Sequence, residues 1–176
     1  MLFRSPENCD VLYACKRINY LDGIPSSFYQ SSDGGSSWEE RTLGLPDSLF
    51  FSSVAVSSLN SNHVVLSIAA FGAGLKVFRS NDGGLNWQNI SYNLPDMPVN
   101  MLKFLPQSDD LLAASDAGVF KLRSGTQQWD DESLGLPNVI VSDIEINEAA
   151  NKVFVSTFGR GIWSTDLNLL LGEKNV

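Results

Sequence analysis

The sequence holds one histidine, His63, and two cysteines, Cys9 and Cys15. One imidazole cannot build a histidine-rich metal cluster, and no Cys/His grouping has zinc spacing. No convincing Ser-His-Asp set forms around His63; a surface position at the start of a strand accounts for it. The cysteines lie six positions apart and flank an apolar run at residues 11–16. Extended chain of that length separates their Cα atoms by ~20 Å, well past the ~7 Å reach of a disulfide. Both are expected as free thiols, and they say little about redox compartment.

Positive charge is also scarce. Twelve Lys and Arg stand against twenty Asp and Glu, for a net charge of −8. That balance disfavours nucleic acid, whose binding rests on phosphate neutralisation. No apolar run nears the ~18 residues of a membrane-spanning helix. The opening residues lack the charged-then-apolar layout of a signal peptide, so either the protein is not exported or its native start lies elsewhere. No stretch sustains a 3.6-residue apolar period; residues 167–171 come nearest. Hydrophobic residues nevertheless make up 43% of the 176, which excludes a disordered chain and suits one sizeable domain.

What is present is a repeat. Residues 31–38, Ser-Ser-Asp-Gly-Gly-Ser-Ser-Trp, recur at 80–87 as Ser-Asn-Asp-Gly-Gly-Leu-Asn-Trp, 49 positions later. Each Trp is followed seven and eight residues on by Leu-Pro, at Leu45-Pro46 and Leu94-Pro95. Trp129 keeps that spacing to Leu136-Pro137, although its turn at 124–126 has lost Asp-Gly-Gly. Short β-branched and aromatic runs separated by turns fill each period, four per period, with the Trp opening the fourth. A 40–50-residue period of four-stranded meanders is that of a propeller blade. The expected fold is all-β: a partial β-propeller of about four blades, the last lacking its outer strand. Blades are placed at about 1–46, 47–97, 98–137 and 138–167 within a 1–167 unit. The 168–176 tail either caps exposed sheet or begins a link, with a frayed end.

In the Asp-Gly-Gly turns the carboxylates are expected to accept backbone N–H bonds and the glycines to take conformations other residues disfavour. Trp38 and Trp87 are expected to pack beneath their own hairpins. The further carboxylates of a calcium loop are missing from these turns, so no metal is assigned.

Around these residues the chain resembles the Asp-box (BNR) repeat, Ser-x-Asp-x-Gly-x-x-Trp. Ser31, Asp33, Gly35 and Trp38 match every specified position, as do Ser80, Asp82, Gly84 and Trp87. The third copy is degenerate. Sialidases, family 74 xyloglucanases, sortilin-type receptors and a photosystem II assembly factor carry this repeat. Residues 153–167 are similar to the last blade of the xyloglucanase/sortilin-like group. The resemblance implies a β-propeller from a mostly secreted or lumenal group, hence an extracellular, cell-surface or periplasmic location. It carries fold rather than activity, because the box is structural in these families. The sialidase arginine triad is not found: Arg41, Arg79 and Arg123 lie on or beside third and fourth strands. No motif of the xyloglucanase aspartate pair is visible either. Catalytic residues therefore stay unassigned and no cofactor is implied.

Topology places the loops between second and third strands at the end opposite the Asp boxes. Tyr20, Asp22, Phe71, Phe158 and Arg160 decorate those loops and form the candidate rim, suited to stacking on sugar rings or holding a peptide. Phe71 and Phe158 sit in near-matching Phe-Gly-x-Gly turns, so repeat packing competes with binding as their explanation. The expected function is a non-catalytic binding or scaffold module, the C-terminal part of a larger exported propeller protein, contacting glycan or protein. The alternative is the C-terminal portion of a xyloglucanase-type glycoside hydrolase. Remaining blades or a second copy are further expected partners. An open meander leaves a sheet edge unpaired, so the isolated chain should dimerise or aggregate. Static light scattering is the measurement, and a monomer at all concentrations would count against the open edge.

Overall fold

Runs such as Phe-Ser-Ser-Val-Ala-Val and Val-Val-Leu-Ser-Ile fit a pleated surface buried on both faces, because β-branched side chains are already restricted at χ1. They form fifteen strands in the computed structural model, which describes residues 2–19, 21–72, 74–133 and 135–172. The first sheet is β1 (Leu2–Arg4), β2 (Leu12–Lys16), β3 (Ser27–Ser31) and β4 (Glu39–Glu40). The second is β5 (Phe51–Val56), β6 (Val64–Ile68), β7 (Val77–Ser80) and β8 (Gln88–Asn89). The third is β9 (Val99–Phe104), β10 (Leu111–Ser115), β11 (Gly118–Leu122) and β12 (Trp129–Asp131). The fourth has three strands, β13 (Val141–Asn147), β14 (Lys152–Thr157) and β15 (Gly161–Asp166). Every pairing is antiparallel between sequence neighbours. Four blades of a partial β-propeller result. Their first strands lie side by side and line an inner cavity of about 350 Å³ that includes Phe3, Val54, Met101 and Ile146.

Three separate cores lie between the blades. Tyr13, Phe28, Leu45, Phe51, Leu66 and Phe78 pack blade one on blade two. Val65, Val77, Ile90, Leu102, Leu111 and Trp129 pack blade two on blade three. Leu112, Val119, Ile144, Val153 and Val155 pack blade three on blade four. Blades two and three thus bury both faces, which explains the near-continuous apolar runs of their second strands.

The indoles correct one expectation. Of the two box tryptophans, Trp38 stays with its own hairpin, donating to the Gly35 carbonyl at 3.2 Å, and it is 40% exposed. Trp87 crosses to the preceding blade. Its Nε1 donates to the Arg41 carbonyl at 3.0 Å and its ring meets Phe28 edge-on at 4.9 Å. Trp129 does the same, donating to the Ile90 carbonyl at 2.9 Å with 2% exposure. Buried indoles require a partner for the N–H, and here the partner belongs to the neighbouring sheet.

The Trp-to-Leu-Pro spacing also acquires a cause. Four residues past each Trp, a hydroxyl (Thr42, Ser91 or Ser133) accepts the backbone N–H of Phe28, Val77 or Val119 in the blade's third strand. The leucines at plus seven then turn their N–H groups onto the carbonyls of Thr42, Ser91 and Ser133, at 3.0, 2.9 and 2.9 Å. Their side chains pack into or against the cores facing the following blade.

The tail packs back onto the fold. Residues Leu167–Leu171 form a short helix, α1, with Leu167 and Leu170 buried in the third core. Gly172, at φ 80°, ends it in the left-handed region that favours glycine. The residues beyond Gly172 lie outside those described.

Trp129→Ala should lower unfolding stability by about 3–5 kcal/mol, the usual cost of removing a buried large aromatic. Trp38→Ala should cost about 1 kcal/mol or less, given its exposure. Urea midpoints of the two variants check this, and equal losses would contradict the bridging role of Trp129.

Candidate functional site

The Asp boxes are built first from backbone needs. Ser31 Oγ accepts the Gly35 N–H at 2.9 Å and donates to Asp33 at 2.7 Å. Asp33 also accepts the Ser37 N–H at 2.9 Å and its hydroxyl at 2.6 Å. The second box repeats this through Ser80, Asp82, Gly84 and Asn86. Hydrogen bonds, from Ser37 first in one box and from Asn86 first in the other, hold Asp33 and Asp82 down at about 2. Both oxygens of each carboxylate are engaged by these internal donors, so the boxes act as turn locks. Gly84 is required for a second reason: a Cβ there would lie 3.0 Å from the Phe28 ring of the preceding blade.

The opposite end carries the candidate rim. Loops between second and third strands meet the links between blades there, as shown by Phe158 N–H donating to the Ile140 carbonyl and Ser26 N–H to that of Asp47. Phe71 is 72% exposed and Phe158 78% exposed, while Arg160 and Asp22 are exposed as well. Tyr20 lies outside the described residues. The Arg160 backbone is fixed by Trp163 Nε1, which donates to its carbonyl at 3.1 Å.

Three carboxylates of this end are tied to structure. Asp22 accepts from Asn19 Nδ2 at 2.5 Å inside its own loop. Asp116 accepts from Asn100 Nδ2, which also reaches the Val141 carbonyl of the fourth blade. Asp96 accepts from Lys76 Nζ at 3.1 Å and from the Gly72 N–H, and the lysine's hydrogen bond lowers its pKa. Lys76 itself is 1% exposed and donates also to the Ala70 carbonyl. That clamp, which fixes the Phe71 loop, has no sequence signal beyond a charge next to an apolar run. A second unforeseen contact sets Arg17 4.5 Å above the Phe50 ring at the same end.

His63 is less bland than expected. Its Nδ1 lies 3.3 Å from Asp109 across the boundary between blades two and three. Cys9 is exposed and Cys15 buried in the first core. Among the described residues, no cluster of His, Cys, Asp and Glu has metal-binding geometry. Among them too, no helix is long and apolar enough to cross a membrane.

Sheets of four antiparallel strands, locked by Asp boxes and bridged by indoles, define a BNR-type β-propeller. The chain belongs to the family described as photosynthesis system II assembly factor YCF48, whose model matches residues 4–166. Among solved structures it is similar to the GH74 enzyme of Niastella koreensis, with a TM-score of 0.73 at 16% identity, covering 94% of this chain and 28% of that one. The GH74 xyloglucanase of Xanthomonas campestris gives 0.71 at 13% identity, with 96% and 29% covered. YCF48 bound to a D1 peptide gives 0.52 at 16% identity, with 88% and 58% covered. These likenesses show the fold, and the chain spans under a third of the GH74 structures. A comparison with curated proteins found no match.

Both box carboxyls are held at about 2 in the folded chain, against ~4 when unfolded. The unfolded state therefore takes up protons first as pH falls. The stability they supply is complete above pH ~4 and is lost on the way down through pH ~2. Urea midpoints measured from pH 5 to pH 2 should fall over that window, and the Asp33→Asn/Asp82→Asn double variant should flatten the slope.

Proposed function

We propose that this chain is a non-catalytic binding module that holds a peptide or protein segment on the rim carrying Phe71, Phe158 and Arg160. One observation carries the reading. The rim's aromatic and cationic side chains project into solvent on loops clamped from below, whereas Asp22, Asp96 and Asp116 are spent on structural hydrogen bonds. Glycoside hydrolysis needs two carboxyl groups facing a bond between them. Asp22, Asp96 and Asp116 instead hold Asn19, Lys76 and Asn100. Exposed aromatics with an arginine on a rigid scaffold are the anchors of protein recognition. Membership of the YCF48 family, with one relative solved with a peptide bound, supports a peptide over a glycan. The module is read further as part of a larger exported propeller protein. Four blades that form an arc rather than a ring support that reading.

The test is a peptide array probed with the whole chain, beside a panel of plant and microbial polysaccharides. Peptide ligands should emerge, and the Phe71→Ala/Phe158→Ala double variant should weaken them by about tenfold or more. Polysaccharide turnover abolished by Asp22→Asn or Asp116→Asn would replace the proposal with the hydrolase reading.

A further inference from the structure

The third Asp box is the degenerate one, and the place it faces is built differently from its equivalents. Gln30, Arg79 and Lys121 hold one position in successive blades, each opposite the residue that follows the blade's Trp. Gln30 Nε2 donates to the Tyr13 hydroxyl at 3.0 Å, and that hydroxyl donates to the Ser61 carbonyl of blade two at 2.8 Å. Lys121 Nζ lies 3.2 Å from Asp110 and donates to the Leu170 carbonyl. Arg79, between them in the series, has no hydrogen bond or ion pair among the described residues, and its Nη2 is buried without a partner.

Two replacements open the space around Arg79. Val65 stands in blade two where Tyr13 stands in blade one, so the phenol that fills the boundary between blades one and two has no counterpart at the next. Ser124, five residues before Trp129, stands where Asp33 and Asp82 stand before Trp38 and Trp87. Between blades one and two the box turn closes tightly: the Gly83 N–H donates to the Asn62 carbonyl, and a Cβ on Gly83 would lie 2.7 Å from Gln30 Nε2. In the third blade the Ser124 N–H goes instead to the Asp110 carboxylate, at 2.8 Å. A cavity of about 210 Å³ remains between blades two and three, with His63, Arg79 and Asn81 on one wall and Phe104, Asp109 and Ser124 on the other.

The one carboxylate of that lining is already committed. Asp109 accepts from Ser57 Oγ at 2.7 Å through one oxygen and lies 3.3 Å from His63 Nδ1 through the other. The Arg79 guanidinium, the Asn81 amide and the Ser124 hydroxyl are left as donors facing the cavity. Serine at position 124 also removes the negative charge that Asp33 and Asp82 carry in the other boxes. An unmatched guanidinium among neutral donors is complementary to an anion. The volume lies below the roughly 300–1,000 Å³ of drug-sized ligand sites, which suits a compact group, and donors on both walls suit a tetrahedral oxyanion better than a planar carboxylate.

We infer that this cavity binds a phosphate group, with Arg79 as its charged anchor and Asn81 and Ser124 as further donors. A free phosphate ion and a phosphomonoester share that chemistry. The site lies at the Asp-box end, opposite the rim of the proposed function, so each stands or falls alone. In a chain of net charge −8, general attraction of phosphate is disfavoured, so binding here reports the local arrangement.

The test is calorimetric titration of the whole chain with inorganic phosphate and, separately, with phosphoserine blocked at both termini. Saturable one-to-one binding of at least one compound is expected. Binding of phosphate alone supports the site with the free ion as its ligand, and binding of phosphoserine alone supports it with a phosphorylated chain as the source. Arg79→Gln copies the side chain that blade one carries at this position, so the circular dichroism spectrum should not change, and binding should weaken about tenfold or more. Asn81→Ala/Ser124→Ala alters two exposed turn residues and should weaken it about threefold or more. Lys16→Gln removes an exposed charge at the opposite end and should bind as the unmodified chain does. No saturable binding of either compound overturns the proposal. So does binding unaffected by Arg79→Gln, or a loss in Lys16→Gln equal to that in Arg79→Gln.

Discussion

An indole N–H donated across a blade boundary is the constraint on which the other features depend. Trp87 and Trp129 each leave their own sheet and end on a carbonyl of the sheet before. Burying an indole without a partner for its N–H would cost about 1–3 kcal/mol, so the boundary must present an acceptor at a fixed height. That acceptor lies three residues past the preceding blade's own Trp. The hydroxyl that fixes the third strand follows at four, and the leucine that closes the core follows at seven. One short segment therefore holds the acceptor, the staple and the wedge, and none can shift without displacing the others. The invariant spacing from Trp to Leu-Pro is the trace of that coupling. The arrangement is also directional: one face of a blade gives the indole and the other gives the carbonyl.

The blades were legible because their anchors are side chains that repeat. Trp, Leu-Pro and the Asp box recur at a fixed distance, and the strand count follows from them. The path of the indole was not legible, because its acceptor is backbone. Arg41, Ile90 and Glu132 share a position and nothing else, so no side-chain pattern marks it. The degenerate third copy makes the same point. Trp129 bridges as Trp87 does, although its turn is closed by Thr126 donating to the Arg123 carbonyl rather than by an aspartate. The box locks a hairpin, and the bridge does not require it. Helix α1 was visible only as the nearest approach to a helical apolar period, at residues 167–171, because five residues are too few to sustain one, and its burial rests on Leu167 and Leu170 alone.

The candidate rim was legible only as a location. Antiparallel meanders fix which loops share an end, and Phe71 and Phe158 are prominent there because both stand in Phe-Gly turns. The clamp beneath them was hidden. Lys76 reads as one charge next to an apolar run, and only packing reveals that burial forces its ammonium onto Asp96 and the Ala70 carbonyl. The engagement of Asp22 and Asp116 was equally invisible, because partners such as Asn19 and Asn100 carry no distinctive spacing. Loops do not repeat, so the periodicity that resolves the scaffold says nothing about what their side chains touch.

Stability along such an arc is set by its boundaries, since each blade packs only on its neighbours. The boundary between blades two and three is complete: it has the leucine wedge, a 2% exposed indole and the Asn93 amide, which bonds both the N–H and the carbonyl of Trp129. The boundary between blades three and four keeps Leu136 but replaces the indole with two leucines from a five-residue helix. Such a helix is too short to hold itself together by its own hydrogen bonds, so its contribution rests on Leu167, Leu170 and the tie from Lys121. Opening should therefore begin at the fourth blade and reach the centre last. The element with the least internal support is also the one whose sheet has three strands rather than four among the described residues.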